Sequence, residues 1–330
     1  MKRTVTASLV VLTAGACLDP QSAPAGELPV TRIPHAGEAA EFYFGPDSKT
    51  LIGNAKLPGD ESHGVYTMSI DDGSMVLVNG VGESACSHFM PDGERLIWTA
   101  TRDHLDDMAP GRFSDPNNYP QGAELYSSAL DGSDVKRLTD NQYYDAEVAV
   151  SPDGKWLLWA RQIDGKVDLW RMPADGSGEE EQITFTDADQ EGGAFYLPDS
   201  ETIIYRAWDI ASQGQRGMPM TIYTMKHDGT DKRQVTDEEG TNWAPYPAPD
   251  GKHFVYVKVL LPSYNFEIFL RNIETGEETR LTYSDGFDGF PALSPDGKWM
   301  TFSSGRQAPE GQRTLHQYVM DVSSLNLSAQ

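Results

Sequence analysis

Residues 151–161, Ser-Pro-Asp-Gly-Lys-Trp-Leu-Leu-Trp-Ala-Arg, decide the fold of this 330-residue chain. The Pro-Asp-Gly sequence at 152–154 has the chemistry of a tight turn, because proline fixes φ, aspartate hydrogen-bonds nearby backbone and glycine adopts positive φ freely. Residues 156–160 are apolar and aromatic and are followed by a charge, which predicts a short buried β-strand. The stretch is therefore a turn followed by a strand.

This pair of elements recurs along the chain. A Pro-Asp dipeptide precedes a strand-like run six times, with spacings of 45, 61, 46, 51 and 46 residues between successive aspartates. These six residues, called the repeat aspartates below, are Asp47, Asp92, Asp153, Asp199, Asp250 and Asp296. A period near 46 residues with two enlarged copies is typical of a repeat architecture.

Each copy holds more than the turn and its strand. One strand-like segment lies before the turn. A third strand, an Asp-Gly hairpin and a fourth strand ending in Leu, Ile or Val followed by Thr come after it, as in residues 123–139. Four short antiparallel strands at this period form one propeller blade. The sequence therefore predicts an all-β fold, a six-bladed β-propeller of four-stranded antiparallel blades.

The ring is predicted to close through an N-terminal strand. Residues 30–34 resemble the fourth strand at 135–139, whereas the sixth copy has no convincing fourth strand after residues 314–322. We therefore expect residues 28–34 to complete the sixth blade, which hides the strand edges that an open array would expose. The alternative is that residues 325–328 complete it.

The N-terminus has the pattern of an export signal. A basic start, an apolar stretch over residues 5–12 and small residues at 14–16 predict a signal peptide over 1–16. Cys17 stands where a bacterial lipoprotein carries its lipid, but residues 14–16 are equally an ordinary cleavage site, so lipidated and soluble mature forms both stay open. The expected location is the periplasm or the outer membrane of a Gram-negative bacterium.

The predicted domain order is the signal peptide 1–16, a flexible tether 17–27, the propeller 28–322 and a polar tail 323–330. The formal net charge of −24 disfavours a nucleic-acid partner, because phosphate binding needs a basic surface. The same charge suits a cationic partner or a divalent metal. A lipid on Cys17 would be the membrane attachment, and a closed ring is expected to be a monomer.

Insertions between the second and third strands point to a binding face. They occupy residues 102–122, 209–220 and 259–265 in the second, fourth and fifth copies. Loops joining strands two to three and four to one emerge on one face of a propeller, and insertions gathered on one face usually mark the binding face. The predicted aromatic rim of this face is Phe113, Tyr119, Tyr143, Tyr144, Trp243 and Tyr283. Plain blade packing is the alternative role of these rings.

The inner strands should line a central channel, so equivalent positions should form rings. Eight residues before the repeat aspartates stand Ala39, Ser84, Asp145, Glu191, Asn242 and Asp288, and other acids such as Glu41 lie nearby. Converging carboxylates suit Ca²⁺, which makes Asp145, Glu191 and Asp288 candidate metal ligands. The candidate ligand-binding residues of the channel mouth are Asp145, Glu147, Glu191, Asp288, Asn242 and His88. They would equally suit a basic peptide or an amine, and the alternative is that they cap strand ends and face solvent.

Positive charges also recur, near the end of each second strand. These residues are Lys56, Arg102, Arg161, Arg206, Lys258 and Arg306, for which we expect salt bridges between blades; binding of an anionic ligand is the alternative. The sequence contains no Gly-x-Ser-x-Gly elbow, no phosphate-binding glycine loop and no paired histidine motif, so no catalytic residue is predicted.

The repeat SPDGKWLLWARQIDGKVDLWRMPADGSGEEEQIT at residues 151–184 is similar to the WD-like repeat of the TolB-type propeller family, and residues 294–306 and 135–139 match as closely. The resemblance covers about 28–322 and implies the fold. The family's namesake is a periplasmic partner of an outer-membrane lipoprotein and carries a further α/β domain, for which this chain leaves no room. Related propellers accompany prolyl-oligopeptidase-like proteases, and more distant ones are oligogalacturonate lyases whose channel histidines hold a metal.

Three functions follow from these patterns. The leading prediction is an exported, non-catalytic propeller that binds a protein or peptide, with or without a cation, on the insertion-bearing face. The second is a carbohydrate-active lyase or hydrolase with a metal or an acid/base site at the channel mouth. The third is a structural role for Ca²⁺ that ties the blades together.

Overall fold

The computed structural model describes residues 26–104, 111–308, 312 and 314–329. The predicted signal peptide and the lipidation candidate Cys17 lie outside these residues. The described chain forms an all-β propeller of six four-stranded antiparallel sheets. The fold class predicted from the repeat is therefore confirmed.

Five blades follow one another along the chain. The first blade consists of β2 (Glu38–Phe44), β3 (Thr50–Lys56), β4 (Gly64–Ser69) and β5 (Met75–Asn79). The second consists of β6 (Ser84–Phe89), β7 (Arg95–Ala100), β8 (Glu124–Ala129) and β9 (Lys136–Arg137). The third consists of β10 (Tyr144–Val150), β11 (Trp156–Ile163), β12 (Lys166–Pro173) and β13 (Glu181–Gln182). The fourth consists of β14 (Asp189–Tyr196), β15 (Thr202–Asp209), β16 (Thr221–Lys226) and β17 (Arg233–Gln234). The fifth consists of β18 (Asn242–Pro247), β19 (His253–Leu260), β20 (Asn265–Asn272) and β21 (Glu278–Arg280).

The sixth blade joins both ends of the propeller. It contains β22 (Asp288–Leu293), β23 (Trp299–Ser304), β24 (His316–Asp321) and, as its outermost strand, β1 (Val30–Arg32). Val30 lies opposite Met320 in an antiparallel register. The predicted closure by an N-terminal strand is therefore confirmed, and residues 325–328 do not form the fourth strand.

The last residues of the expected tether and the described residues of the expected tail pack on this blade. Glu27 accepts a hydrogen bond from Arg306 at 3.0 Å. A 3-10 helix spans Ser323–Leu325, and Leu327 is 1% exposed in the cluster between the fifth and sixth blades. Ser328 donates a hydrogen bond to the carbonyl of Asp296 at 2.6 Å. The folded body thus extends beyond residues 28–322 at both ends.

The repeat motif forms a closed set of turn hydrogen bonds. The Ser151 hydroxyl accepts the amide of Trp156 at 3.0 Å, and the amide of Gly154 donates to the Ser151 carbonyl at 2.8 Å. Gly154 has a φ of 71°, a conformation that glycine adopts without a steric cost. The turn therefore delivers the chain from the first strand of a blade directly into the second.

The Thr that follows the fourth strand joins this strand to the third by a hydrogen bond of its side chain. Its hydroxyl accepts the amide of a third-strand residue in four blades, over 2.8–3.0 Å. These pairs are Thr139 with Leu125, Thr184 with Leu169, Thr236 with Ile222, and Thr282 with Ile268. The short fourth strands are thus tied by a side chain as well as by their own backbone.

Hydrophobic cores lie between blades. Six buried clusters fill the six interfaces, and each combines residues of two neighbouring blades. In the cluster between the first and second blades, Trp98 stacks on Tyr126 at 4.7 Å beside Ile52 and Leu96. A fully buried side chain of this size contributes about 1.5–3 kcal/mol, so the interfaces between blades carry most of the apolar stabilisation.

A β-bulge interrupts every inner strand at the same place. Its positive-φ residue stands six residues before the repeat aspartate in each blade. These residues are Glu41 (56°), Cys86 (30°), Glu147 (55°), Gly193 (55°), Ala244 (50°) and Phe290 (52°). A bulge re-aims the side chain that it carries. We call these six residues the channel ring.

Candidate functional site

The channel opens into a large cavity on the insertion-bearing face. Its volume is about 1160 Å³, and its lining includes the channel-ring residues Glu41, Cys86, Glu147 and Phe290. A narrower space of about 50 Å³ continues between the ring and Phe195 below it. The ring is therefore the floor of the cavity.

Described residues of two insertions line this cavity, and the third insertion contacts one of them. Gln213 of the fourth blade donates hydrogen bonds to the Pro116 carbonyl at 2.9 Å and to Asn117 Oδ1 at 3.3 Å, both in the second-blade insertion. The guanidinium of Arg216 lies 3.8 Å from the ring centre of Tyr264 in the fifth blade. The insertions thus share one face, as the strand order predicts.

Glu147 is held on the floor by an ion pair across two blades. Arg206 of the fourth blade donates to Glu147 Oε1 at 2.6 Å, and the amide of Gly193 donates to Oε2 at 2.5 Å. A Cβ at Gly193 would stand 1.8 Å from Nη1 of Arg206. Arg206 therefore occupies the space that a side chain at position 193 would fill.

Glu41 occupies the equivalent position of the first blade, and its hydrogen-bond partners are neutral groups. Its carboxyl accepts hydrogen bonds from Tyr43 at 3.0 Å, Cys86 at 3.4 Å and Asn54 at 3.4 Å. Burial is the main cause that raises the pKa of Glu41 to about 7, and the hydrogen bonds from Tyr43 and Cys86 oppose it. The negative charge of Glu147 also raises this pKa, and the positive charge of Arg206 lowers it. Burial and the neighbouring Glu41 likewise raise the pKa of the Cys86 thiol well above its usual range.

Aromatic side chains form two walls above the floor. Trp243 lies 4.8 Å from Phe290 and 6.2 Å from Phe287. On the other wall Tyr119 stacks on Tyr144 at 4.2 Å and 8°. The cavity therefore combines apolar ring faces with two carboxyls at its base.

A layer of aromatic rings fills the channel below the ring. Its members Tyr43, His88, Phe195 and Tyr246 all stand four residues before a repeat aspartate. Tyr43 lies 4.2 Å from His88 and 5.8 Å from Tyr246, and Phe195 lies 5.0 Å from Tyr246. Burial lowers the pKa of His88 to about 3, and its Nε2 has no hydrogen-bond partner among the described residues. His88 thus reaches the channel, as the sequence suggests, but it lies among aromatic rings below the cavity.

The acids predicted to form a metal site are separated. Asp145 accepts Arg161 at 2.6 Å, and Asp288 accepts Arg306 at 2.6 Å. Glu191 accepts the hydroxyl of Thr186 at 2.6 Å. All three are completely buried, and no three His, Cys, Asp or Glu side chains in the described ranges are grouped to hold a metal ion.

The reason for this separation is the position of the bulge. Asp145, Glu191 and Asp288 precede the bulge in their strands, and none of them lines the cavity. Ser84, at the same position of the second blade, does line it. Asn242 follows the same rule as the three acids, because its side-chain amide donates to the carbonyls of Met220 and Glu238 at 3.1 and 3.2 Å. The positions that converge on the channel are therefore six residues before the repeat aspartate and not eight, and they form the channel ring. Of the predicted channel-mouth residues, this ring includes Glu147.

The predicted rim is divided by the structure. Four of its residues line the cavity, namely Phe113, Tyr119, Tyr144 and Trp243. Tyr143 is 40% exposed and lies 6.0 Å from the guanidinium of Arg161, and Tyr283 lies 4.4 Å from that of Arg280. These two side chains pack on cations and do not line the cavity.

The recurring positive charges separate by their distance along the chain from the repeat aspartate. Arg206 stands seven residues after its repeat aspartate and Lys56 nine, and both line the cavity. The other four cations stand eight or ten residues after the repeat aspartate and do not line the cavity. They are Arg102, Arg161, Lys258 and Arg306. Sequence reasoning treated the six as equivalent, although the offset was readable.

Comparisons with known proteins were made by sequence and by structure. No protein-family model matches the chain. An uncharacterized protein of Agrobacterium fabrum is 30% identical over 178 residues, which are 53% of this chain and 55% of that protein. A TolB homolog of Chlorobium luteolum is 27% identical over 154 residues, 47% of this chain and 32% of that protein. The matches thus span about half, or less, of the length of these relatives.

Solved structures are similar over most of the chain. A structure assigned as TolB from Agrobacterium tumefaciens has a TM-score of 0.59 at 20% identity, covering 86% of this chain and 90% of that one. TolB from Acinetobacter baumannii has a TM-score of 0.60 at 17% identity, with coverages of 88% and 65%. An oligogalacturonate lyase in complex with manganese has a TM-score of 0.57 at 14% identity, with coverages of 89% and 93%. At these identities the likeness is one of fold.

The sequence repeat, the closure of the ring and the similar solved structures all indicate one class of protein, the closed six-bladed β-propeller. More narrowly, the chain is a TolB-type propeller in its fold. Throughout the described ranges, no helix is both long enough and apolar enough to cross a bilayer.

Proposed function

We propose that the chain is an exported binding protein that takes up a peptide segment of a partner protein on its insertion-bearing face. The observation that carries this proposal is the cavity of about 1160 Å³ at the channel mouth. Pockets for small molecules enclose about 300–1,000 Å³, so this cavity has room for an extended segment of several residues. Its aromatic walls are suited to the apolar side chains of such a segment.

The proposed location is the cell envelope of a Gram-negative bacterium, where the partner would also reside. The basic and apolar pattern of residues 1–16 and the TolB-type relatives support this location. Lipidation of Cys17 would attach the propeller to the outer membrane. Replacing Cys17 by Ser should then move the protein from the membrane fraction to the soluble periplasmic fraction. If the wild type and the variant are both found in the periplasmic fraction, the mature protein is the soluble form.

The binding proposal is tested by selecting a displayed library of random peptides on the purified chain. Peptides selected on the wild type should lose at least tenfold in affinity on Trp243→Ala, because an interfacial Trp often contributes 2 kcal/mol or more. The matched control is Leu130→Ala, since Leu130 is 44% exposed in the hairpin at the opposite end of the second blade. Failure to enrich any peptide, or equal binding to both variants, would contradict the proposal.

A second candidate function is the cleavage of an oligosaccharide. The observation that favours it is the pair of carboxyls Glu41 and Glu147 on the floor of one aromatic-walled cavity, with different partners. Two carboxyls in different environments are the usual equipment of acid/base cleavage of glycosidic bonds. Release of reducing ends or unsaturated products from a panel that includes oligogalacturonate, lost in Glu147→Gln, would favour this function over binding.

A further inference from the structure

We propose that the cavity floor binds an ammonium group of the peptide, from a lysine side chain or an amino terminus, at the carboxyl of Glu41. The inference rests on the proposed function, because it names the ligand group that the cavity receives. It is carried by the charge balance of the floor, by an unpartnered buried oxygen and by the aromatic wall.

The floor has one carboxyl more than it has cations. Arg206 is committed to Glu147 at 2.6 Å. Among the described side chains, no cationic nitrogen lies within 4.0 Å of the Glu41 carboxyl, and the hydrogen bonds that reach it come from Tyr43, Cys86 and Asn54. Glu41 is half-buried, and an unpaired carboxylate withdrawn from water is costly, so the free protein holds Glu41 partly as the neutral acid. One positive charge from a ligand would balance the floor.

A second acceptor stands beside Glu41 without a partner. Asn54 is 8% exposed and lines the cavity, and its Oδ1 has no hydrogen-bond partner within the described part of the chain. Asn54 is paired across the sheet with Ala40, the neighbour of Glu41. An ammonium carries three donors, and a carboxylate oxygen with an amide oxygen next to it would accept two of them.

The shape of the free acceptors favours an ammonium over other cations. Oε1 of Glu41 already accepts Tyr43 and Cys86, whereas Oε2 accepts only the long hydrogen bond from Asn54 at 3.4 Å and keeps an acceptor position for a ligand. A guanidinium is best bound by both oxygens of a carboxylate. A calcium ion would need about six to eight oxygens, which this floor does not supply. The adjacent ring position holds Phe290, packed on Trp243. Their rings suit the apolar stem of a lysine and attract its charge.

The direct test compares two probes that share one stem. Nα-acetyl-lysine amide and Nα-acetyl-norleucine amide are titrated into the purified chain at pH 7 and low salt, with binding followed by NMR. The lysine probe should bind at least tenfold more tightly. A dipeptide amide with a free amino terminus and no lysine, titrated beside its acetylated form, shows whether a terminal ammonium binds as well. Equal binding of each charged probe and its neutral partner would overturn the inference.

The matched variants are Glu41→Gln and Glu267→Gln. Both remove a carboxyl whose pKa is raised to about 7, but Glu267 is paired with Arg280 in the fifth blade and does not line the cavity. Glu41→Gln should lower the affinity for the lysine probe at least tenfold, and Glu267→Gln should leave it unchanged. Retained binding in Glu41→Gln, or equal losses in both variants, would overturn the assignment to Glu41.

A readout on the wild type alone covers the case in which a variant does not fold. A bound ammonium favours ionised Glu41, so lysine binding at pH 6 should release most of one proton and at pH 8 almost none. Titration calorimetry in two buffers of different ionisation enthalpy measures this release, and the norleucine probe should give none. The titratable or charged groups that face Glu41 are Tyr43, Cys86, Glu147 and Arg206. The raised pKa values of Tyr43 and Cys86 keep both protonated at these pH values. Tight lysine binding at pH 6 without proton release would contradict the role of Glu41.

The two proposals fail in different ways. Cavity-dependent peptides that show no preference for a charged probe would remove the ammonium site and leave the peptide-binding function. Specific binding of the lysine probe with no peptide enriched by selection would retain the ammonium site and remove the peptide-binding function.

Discussion

Glu41 and Glu147 stand at the same position of two repeats, with φ angles of 56° and 55° on the same kind of bulge. Both side chains reach the floor of one cavity. Glu147 is neutralised by Arg206 from the next blade, whereas Glu41 accepts hydrogen bonds from Tyr43, Cys86 and Asn54. The backbone of the repeat therefore fixes where a ring side chain points, and the next blade decides whether its charge is balanced.

The difference arises from where the cation of the next blade stands relative to its repeat aspartate. Arg206 stands seven residues after its repeat aspartate and faces the ring, with Gly193 leaving it room. The corresponding cation of the blade next to Glu41 is Arg102, ten residues after its aspartate. Its guanidinium lies 5.8 Å from the ring centre of Trp98, away from the floor. A shift by an odd number of residues thus separates a balanced carboxyl from an unbalanced one.

The largest effect is expected from removing the cation of the balanced half. Arg206→Met leaves Glu147, whose side chain is 18% exposed, without its partner, and breaking such an ion pair from one side costs up to about 3–5 kcal/mol, the value for a fully buried pair. Urea unfolding at pH 7 should show a loss of this size. The exposed pair Arg233–Glu274, with side chains 48% and 72% exposed, provides the control, and Arg233→Met should change stability by less than about 1 kcal/mol.

A double variant sharpens this test. Arg206→Met combined with Glu147→Gln removes both charges, so it should recover much of the loss if an unpaired charge is its cause. A double variant as unstable as Arg206→Met would show that Arg206 contributes mainly by packing, and the proposed contrast between the two carboxyls would fail.

The unbalanced half should reveal itself in the pH dependence of stability. Burial raises the folded pKa of Glu41 to about 7, above the ordinary value of 4.5 that applies in the unfolded chain, so the unfolded chain releases this proton at lower pH. The folded state therefore loses stability as pH rises between these values. The loss is on the order of 2–3 kcal/mol. Glu41→Gln should therefore be more stable relative to the wild type at pH 8 than at pH 5, as measured by urea unfolding at both values.

Other buried acids contribute to the wild-type profile, so the difference between the two proteins is the informative quantity. Glu147→Gln is the matched variant from the other half, and it should be destabilised because Arg206 loses its partner. A pH-independent difference between Glu41→Gln and the wild type would show that Glu41 titrates normally and is not the unbalanced member of the pair.

The repeat made most of the fold predictable from sequence. The Pro-Asp turn, the strand after it and the Thr that ends four of the copies specify local hydrogen bonds that the structure contains, for example Ser151 with Trp156 and Thr139 with Leu125. Ring closure by residues 30–32 was predictable because that segment carries the pattern of a fourth strand. These features depend on short stretches of chain, which a sequence displays directly.

The site was less predictable because a bulge shifts the alternation of every inner strand. Counting from the repeat aspartate without the bulge selected Asp145, Glu191 and Asp288, which are buried in their own blades. A bulge needs no special residue, and Glu41, Ala244 and Phe290 adopt its positive φ alike. The pairing of Arg206 with Glu147 also joins residues 59 positions apart on different blades, which periodicity alone does not reveal.

The smallest effect is expected where the bulge of Glu41 is attached to the sixth blade. The Ser303 hydroxyl accepts the amide of Glu41 at 3.0 Å and donates to Gln317 at 3.1 Å, both inside the protein. Ser303→Ala should cost about 1 kcal/mol in urea unfolding, and Ser324→Ala, on an exposed turn, should be near neutral. Because the carboxyl of Glu41 keeps Tyr43, Cys86 and Asn54, the pH-dependent difference from Glu41→Gln should persist in the Ser303→Ala background. If that difference disappears, the backbone anchor and not the missing cation sets the state of Glu41, and the ring position itself would distinguish the two carboxyls.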